Sequence, residues 1–355
     1  MKNNKLGIGV LGAGQIAQAA HFESCTKGYN TELIAICDVS EDLCNRMAIT
    51  HGAKKTFKDY EKMISDPEVD AIIIAVADAL HIPMSIKALQ AGKHVLCEKP
   101  IGLSLDESLK LKDIINKSKK VFQIGHMKRF DMGIQAAKNF IENEIEEIFA
   151  LKAWYCDSTY RYAVTDAVQP LIIKSKNSLK NSIDPKKNLK KYYMLAHGSH
   201  LIDLANYLVG EIVAVRARLS KKKIMCWFID IEFANGSLGH LDLTIAVRMD
   251  WHEGFQVYGK NGSILGKIYN PWLYKTSDVD IFREKESTTF RVLGEDGHFY
   301  RRQLESFADA ILNDSEIKGA TIDDGISNIK TMIAIEKSIQ KDNWIRLDTI
   351  HTGNV

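Results

Sequence analysis

The stretch "GVLGAGQIAQAAH", residues 9–21, decides the fold of the first part of this 355-residue chain. Its small residues Gly12, Gly14 and Ala17 stand at the offsets of the pattern G-x-G-x-x-G/A, directly after an apolar run. In that pattern the first glycine makes a tight turn, the second lets a pyrophosphate approach the backbone, and the third small residue lets a helix pack closely on the strand. We therefore predict a buried strand, a turn and a helix over Gln15–His21 whose N-terminus binds phosphates. A glycine-rich turn without a ligand is the alternative.

An acidic residue follows at the distance that this pattern requires. The stretch "TELIAICDVS" reads as a second strand that ends at Asp38, 26 positions after Gly12. A carboxylate at this point bonds the ribose hydroxyls of an adenosine and repels a 2′-phosphate. Since no arginine follows directly, the sequence favours NAD over NADP, although a strand-end turn residue would look the same.

Strand-like runs and helical patterns then alternate along the chain. Further strands are predicted over residues 69–76, 93–100 and 120–130, with a helix over residues 82–91. This alternation predicts a doubly wound parallel sheet in an α/β fold. We place a domain boundary after residue 127, which gives a dinucleotide-binding domain over residues 1–127 and a second domain over residues 128–355.

The second half has a different pattern. Short strand-like runs follow one another between residues 211 and 267, and "ANG" and "KNG" supply turn residues between pairs of them. Helical patterns return at residues 301–312 and 323–340. We therefore expect an α+β domain with a large open, mostly antiparallel sheet.

Composition excludes several other classes of protein. Apolar residues make up 45% of the chain, charged residues 26%, and the net charge is +2, which gives no global attraction to nucleic acid or an anionic membrane. No apolar run approaches the ~20 residues of a membrane helix, and the first residues lack a signal-peptide pattern. The six cysteines contain no CxxC pair, so we expect reduced thiols, no metal site and a cytoplasmic protein.

Three motifs together resemble the Gfo/Idh/MocA oxidoreductases. They are "GVLGAGQIA", "AVADALHIPMSIKALQAGKHVLCEKP" and "GSHLIDLANYLVG", within residues 9–210. The resemblance implies an N-terminal Rossmann domain that binds the nicotinamide cofactor. It also implies a C-terminal domain that covers the substrate and often mediates oligomers, so we expect a homodimer or homotetramer.

The resemblance also implies the roles of single residues. In the family the lysine of the "EKP" element, here Lys99, points at the substrate hydroxyl and the nicotinamide, and its bond to Pro100 is often cis. The histidine of the last motif, here His200, takes or gives the proton, while Asp203 orients a neighbour. A surface lysine and a buried hydrogen-bonding histidine are the respective alternatives. The predicted cofactor-binding residues are Gly12, Gly14, Gln15, Ile16, Asp38, Ala75, His81, Glu98 and Lys99.

One position departs from the family pattern. Sugar and inositol dehydrogenases of the family commonly carry an aspartate four residues before the histidine, where this chain has Ala196. Either Lys99 and His200 suffice, or His197 joins them, or the reaction differs from plain dehydrogenation. The predicted substrate-binding residues are Lys99, His126, Lys128, Arg129, Tyr160, His197 and His200.

The leading functional hypothesis is an NAD-dependent dehydrogenase that acts on a secondary hydroxyl of a sugar, glycoside or cyclitol. The alternative is a glycosidase or lyase-like enzyme that keeps NAD bound and oxidises its substrate transiently at C3. A non-catalytic NAD-sensing protein is a third and more distant hypothesis.

Overall fold

The computed structural model describes residues 5–157, 170–176, 187–221, 225–245 and 251–355. The chain divides into two compact units. The first contains Met1–Met127, Pro170–Pro185 and His298–Gly325, and the second contains Lys128–Gln169, Lys186–Gly297 and Ile326–Val355.

The first unit is built on a parallel sheet of six strands in the order β3-β2-β1-β4-β5-β6. This is the order of a doubly wound dinucleotide-binding fold, in which ligands bind at the carboxyl ends of the strands where the order reverses. The reversal lies between β1 and β4, so the glycine turn that follows β1 stands at the switch point. The strands are β1 Leu6–Leu11, β2 Thr31–Cys37, β3 Lys55–Phe57, β4 Ala71–Ile74, β5 His94–Cys97 and β6 Phe122–Ile124.

Helices connect these strands as the alternation predicted. The segment after the glycine turn becomes helical at Gln15, widens into a π-helical turn over Ala17–His21 and continues as an α-helix. The side chain of Ser104 accepts a hydrogen bond from the Glu107 N–H and so caps a later helix. The helices are α1 Phe22–Lys27, α2 Glu41–His51, α3 Tyr60–Ile64, α4 His81–Gln90 and α5 Leu105–Ser118.

The core of the first unit is completed by a distant segment of the chain. Apolar side chains of β1, β2 and β4 are buried, among them Val10, Ile36 and Ile73. The helix Phe299–Leu312 adds Leu304 and Phe307 to the same core. The division made from sequence assigned residues 298–325 to the second domain. The structure groups them with the first unit because this helix buries its apolar face there.

The second unit is built on a nine-stranded sheet in the order β14-β13-β12-β11-β7-β10-β9-β8-β15. Strands β7 and β10 run parallel, and the other neighbouring pairs run antiparallel. The strands are β7 Ile148–Asp157, β8 Ile212–Leu219, β9 Cys226–Phe233, β10 Leu238–Ile245, β11 His252–Gly259, β12 Gly262–Ile268, β13 Asp278–Arg283, β14 Thr288–Val292 and β15 Ile345–Arg346.

The two faces of this sheet differ. On β7, Leu151, Ala153 and Tyr155 alternate onto a buried face, which helix Ser199–Val209 covers with nearly all its residues buried. The opposite face exposes large apolar side chains on several strands. The helices are α6 Met132–Asn143, α7 Leu189–Tyr193, α8 Ser199–Val209, α9 Phe299–Leu312 of the first unit and α10 Ile322–Lys341.

The predicted fold class is confirmed, while some predicted elements differ in extent. The strand predicted over residues 120–130 was wrong in length, because β6 ends at Ile124 and Met127–Phe130 forms a 3₁₀ turn. The central strand β7 was not predicted at all. Within the described residues, no helix is both long enough and apolar enough to cross a membrane.

Candidate active site

The glycine turn of the first unit has the geometry that a bound dinucleotide needs. Gly12 has φ +98°, and a Cβ there would lie 2.4 Å from the Ala75 carbonyl oxygen, so a side chain is excluded by both strain and space. Gly14 is exposed, and a Cβ built on it would meet no atom of the described residues within 4 Å. The space beside Gly14 is therefore open to a ligand that approaches the backbone, as the motif predicted.

The Asp38 carboxylate lies beside this turn at the carboxyl end of β2. Its Oδ2 accepts a hydrogen bond from the Ala13 N–H at 2.8 Å, and its Oδ1 accepts one from the Ser40 N–H at 2.9 Å. A carboxylate accepts about four hydrogen bonds, so both oxygens can still accept from ribose hydroxyls. The open glycine turn and this fixed carboxylate fit an adenosine dinucleotide, and Gln15 and Ile16 begin the helix directly after the turn.

His81 ties two loops at the carboxyl edge of the sheet together. Its ring nitrogens lie 2.6 Å (Nδ1) from the Pro100 carbonyl oxygen and 3.1 Å (Nε2) from that of Val76. The ring is buried, and the Lys99–Pro100 peptide bond is cis, as the resemblance implied. His81 therefore contacts backbone on both sides, which positions the loop that carries Lys99.

Glu98 forms a buried pair that sequence reasoning missed. Its Oε1 lies 2.8 Å from Nε2 of His21, which belongs to the π-helical turn after the glycine motif. Burial alone would raise the pKa of Glu98, but the hydrogen bond and charge of His21, together with Lys99, hold it below its usual range. The pair connects the helical turn after the glycine motif to the strand end that precedes Lys99.

Lys99 follows Glu98 directly at the end of β5, and its side chain is partly buried. Burial lowers the pKa of the Lys99 ammonium, while the carboxylates of Glu98 and Asp78 oppose this shift. A lysine with a lowered pKa at the carboxyl edge of such a sheet can bind a hydroxyl oxygen and stabilise developing negative charge.

In the second unit, Tyr155 is the centre of a group of titratable side chains. Its ring centroid lies 5.0 Å from that of His197 and 6.4 Å from that of His200, the latter nearly parallel at 14°. The Lys128 ammonium lies 4.4 Å from the same centroid, in a cation–π contact. The structure thus brings Lys128, His197 and His200 together. We call these residues, with Tyr155 and Asp157, the Tyr155 cluster.

The cluster is bordered by a buried carboxylate. Glu253 forms an ion pair with Lys128, and its Oε2 accepts a hydrogen bond from the Trp251 indole N–H at 3.1 Å. Burial raises the pKa of Glu253, although Lys128 and Trp251 oppose the shift. Lys128 is therefore held in place by Glu253 while its ammonium contacts the aromatic ring.

Arg129 has a different environment from Lys128. Its guanidinium makes two hydrogen bonds to Asp203, Nε to Oδ2 at 3.1 Å and Nη2 to Oδ1 at 2.8 Å, and both side chains are buried. It also lies over the Tyr207 ring at 5.1 Å. A buried bidentate pair of this kind fixes helix α8, and thereby His200, relative to the 3₁₀ turn.

Two further residues were predicted to bind the substrate. His126 is buried directly after β6 in the first unit. Tyr160 lies outside the described residues. Four residues of these contacts were not predicted. Tyr155 and Asp157 lie on strand β7, which was not recognised, while Glu253 and His21 are defined only by partners that are distant in sequence.

The comparisons with known proteins agree with this geometry. Residues 6–126 match the family model GFO_IDH_MocA, described as oxidoreductase family, NAD-binding Rossmann fold. Residues 193–347 match the model described as oxidoreductase family, C-terminal alpha/beta domain. The predicted NAD cofactor and the predicted oxidoreductase class are thereby confirmed.

Individual relatives are distant but cover nearly the whole chain. The chain is 26% identical over 342 residues to an uncharacterized oxidoreductase of Bacillus subtilis, YrbE, with 93% of each chain covered. It is 23% identical over 359 residues to myo-inositol 2-dehydrogenase of Thermotoga maritima, covering 97% of this chain and 99% of the relative.

A solved structure of levoglucosan dehydrogenase in complex with NADH and levoglucosan has the same fold. Its TM-score is 0.78 at 21% identity, covering 97% of this chain and 99% of that one. Since the two family models match more than half of the chain, the resemblance predicted from the motifs is confirmed. The chain therefore belongs to the Gfo/Idh/MocA family of oxidoreductases, with an NAD-binding Rossmann domain followed by the family's C-terminal alpha/beta domain.

Proposed function

We propose that this protein is an NAD-dependent dehydrogenase that oxidises a secondary hydroxyl of a cyclitol, sugar or glycoside. The observation that carries the proposal is the Tyr155 cluster, which holds two imidazoles against one aromatic ring in a single unit. Alcohol oxidation needs a base near neutral pH, and imidazole is the side chain that supplies one. The names of the relatives, a myo-inositol dehydrogenase and a levoglucosan dehydrogenase, support a polyhydroxylated substrate.

Five of the predicted residues have a proposed task in this reaction. When bound, NAD would supply the hydride acceptor, and the turn at Gly12 and Gly14 and the Asp38 carboxylate would hold it. His200 accepts the hydroxyl proton on an imidazole nitrogen. Lys99 orients the hydroxyl oxygen and offsets the negative charge that develops on it as the proton leaves.

A panel of substrates tests the proposal. Myo-inositol, levoglucosan, simple hexoses and an aryl glycoside are each incubated with the protein, with and without added NAD, and NADH absorbance and products are followed. We expect NADH to form in proportion to an oxidised polyol. Release of the aglycone without net NADH would instead identify the transient-oxidation mechanism, and no turnover with any of these compounds would contradict both.

The predicted homodimer or homotetramer also belongs to this proposal. The face of the nine-stranded sheet opposite α8 exposes apolar side chains, each 37–57% accessible, namely Phe228, Leu238, Tyr258, Leu265 and Phe282. A face of this kind favours association with a second copy. Sedimentation velocity of the protein and of Phe228→Lys measures the assembly, and an unchanged monomer for both would contradict it.

A further inference from the structure

We propose that Asp157 and His197 form a carboxylate–imidazole pair that supports proton transfer at His200, so that Asp157 is a positioning residue for the reaction. This inference rests on the proposed dehydrogenase function and deepens it. It concerns a carboxylate from strand β7, about 40 residues before the histidine segment along the chain.

The pair is defined by its geometry. Oδ2 of Asp157 lies 3.9 Å from Nε2 of His197, within the range of an ion pair. Asp157 is the last residue of β7 and is 7% exposed, so its charge is poorly screened by water. His197 lies in a π-helical turn over Met194–Gly198, directly before α8. Such a wide turn inside a helix often occurs at functional sites.

His200 is connected to this pair through Tyr155. Tyr155 and Asp157 are two residues apart on β7, so their side chains leave the strand on the same face. Both imidazoles pack against the Tyr155 ring, His197 at 5.0 Å and His200 at 6.4 Å between centroids. The strand spacing therefore places the carboxylate that contacts His197 on the same face as the ring that contacts both histidines.

Two other carboxylates of the second unit are paired with cations. Glu253 is paired with Lys128, and Asp203 is paired with Arg129. Burial and Tyr192 raise the pKa of Tyr193, and the charge of Asp157 adds to this shift. The same charge contributes to the raised pKa of Glu253. Among the described residues, the titratable or charged groups that face His197 and His200 are Asp157 and Tyr155 from β7, Tyr193 from the preceding helix, Lys128 from the 3₁₀ turn and Glu253 from β11.

The chemistry gives this carboxylate a defined use. When the substrate alcohol is oxidised, its O–H bond breaks and the electron pair stays on oxygen to form the carbonyl. The C–H electron pair leaves as hydride to NAD, and the proton moves to His200. That transfer creates a positive charge next to His197. The Asp157 carboxylate offsets this charge and fixes the orientation of His197, so that the proton stays on His200 until the product leaves.

The test compares Asp157→Asn, His197→Asn and the double variant, with myo-inositol and levoglucosan as substrates and NAD as cofactor. We expect each single variant to lower kcat by ~10- to 100-fold while KM changes by less than about threefold, as for an orienting group. Because the two residues act together, the double variant should be within about twofold of the worse single variant. The acidic limb of the kcat/KM profile should move to lower pH in Asp157→Asn, since the carboxylate favours the protonated imidazoles.

Exposed residues of the same unit provide matched controls. Asp348→Asn and His351→Asn remove the same chemical groups from exposed positions near the end of the chain, and both should stay within about twofold of the wild type. If the wild type is active, two results would overturn the positioning role and leave the dehydrogenase function intact. One is that the losses of kcat in the two single variants add in the double variant, and the other is that Asp157→Asn is fully active.

A second measurement does not depend on turnover. The ¹⁵N signals of the His197 ring are assigned by their loss in His197→Asn and followed by NMR during titration. The midpoint of His197 should fall in Asp157→Asn and stay unchanged in Asp348→Asn, and an unchanged midpoint in Asp157→Asn would overturn the pair. A wild type that oxidises no polyol would overturn the proposed function, and the catalytic role of the pair with it.

Discussion

The glycine turn of the first unit and the Tyr155 cluster of the second unit are built in different ways. At the glycine turn the groups proposed to face the cofactor are backbone, since Gly12 and Gly14 have no side chains. In the Tyr155 cluster the groups are side chains, and they come from three segments around residues 128, 155–157 and 197–200, with Glu253 at the border. Binding a constant cofactor needs one local loop, whereas placing titratable groups for chemistry needs several elements held together by a sheet.

The largest effect is expected at His200. His200→Asn keeps a polar side chain of similar size but removes the base, so kcat should fall by ~100-fold or more while NAD affinity is retained. The kcat is measured with the substrate that the wild type oxidises, and NAD affinity is measured by fluorescence titration. The wild-type kcat/KM should show one group that titrates between about pH 6 and 8. Full activity of His200→Asn would remove the Tyr155 cluster from the reaction.

Lys99 tests the cofactor end of the comparison. Lys99→Ala should lower kcat by at least ~100-fold, because a positioned cation that stabilises developing alkoxide charge is lost. NAD affinity should change little, since the glycine turn and Asp38 remain. The wild-type activity should decline as the pH rises and Lys99 loses its proton. This decline should begin below the usual pH range of lysine, because burial lowers the pKa of Lys99. Normal turnover of the variant would contradict its assigned role.

Gly14 separates ligand binding from folding. A Cβ at Gly14 meets no atom of the part of the chain that the structure describes, so Gly14→Ala should leave the thermal midpoint within a few degrees while NAD affinity falls by ~10-fold or more. Gly52→Ala is an informative companion, because its positive φ strains a side chain in a turn away from the motif, so stability should fall without a specific loss of NAD binding. If Gly14→Ala bound NAD normally, the open space beside it would not be the phosphate site.

Substitution of Asp38 should have a smaller effect than the changes above, and it should act on the preference for NAD over NADP. Its carboxylate repels a 2′-phosphate, so NAD should bind better than NADP, and Asp38→Ala should narrow the ratio by ~10-fold. The Ala13 and Ser40 N–H groups lose their acceptor in this variant, so NAD affinity should fall as well. Fluorescence titration with both cofactors checks this expectation. Equal affinity of the wild type for NAD and NADP would contradict it.

Acid should affect the first unit through His94. Burial and the nearby Lys120 lower the pKa of His94 to about 4, and its Nδ1 accepts a hydrogen bond from the Val121 N–H at 3.0 Å. The unfolded chain takes up this proton near its ordinary value of about 6.5, so stability should fall as pH decreases from about 6.5 to 4. The urea concentration at the unfolding midpoint should decrease less between these pH values in His94→Gln than in the wild type. Equal decreases would contradict the role assigned to His94.

The difference between the two regions also decides what the sequence could predict. Gly12, Gly14 and Asp38 could be proposed from sequence because the pattern that suggests their roles depends on spacing within one strand–turn–helix–strand segment. Strand β7 was missed because Ala150, Trp154 and Cys156 are also apolar, which hides the alternation of Leu151, Ala153 and Tyr155. Asp157 and its contact with His197 therefore could not be predicted.

The pair of Glu98 and His21 was missed for a related reason. Each residue lies in a recognised motif, but the contact joins positions 77 residues apart, and single-sequence patterns do not report such pairing. The alternation of strands and helices predicted the first sheet and its parallel order, whereas β3 has three residues in a polar stretch and gave no periodic signal.

The use of helix α9 in the core of the first unit has a consequence for how the protein is made. The ribosome completes all six strands of the first sheet by Ile124, yet Leu304 and Phe307, which cover part of its core, emerge about 180 residues later. During that interval the nascent sheet has an uncovered apolar surface. We expect a nascent chain released after residue 127 to need chaperone protection, and the native first unit to become resistant to protease only once α9 has left the exit tunnel.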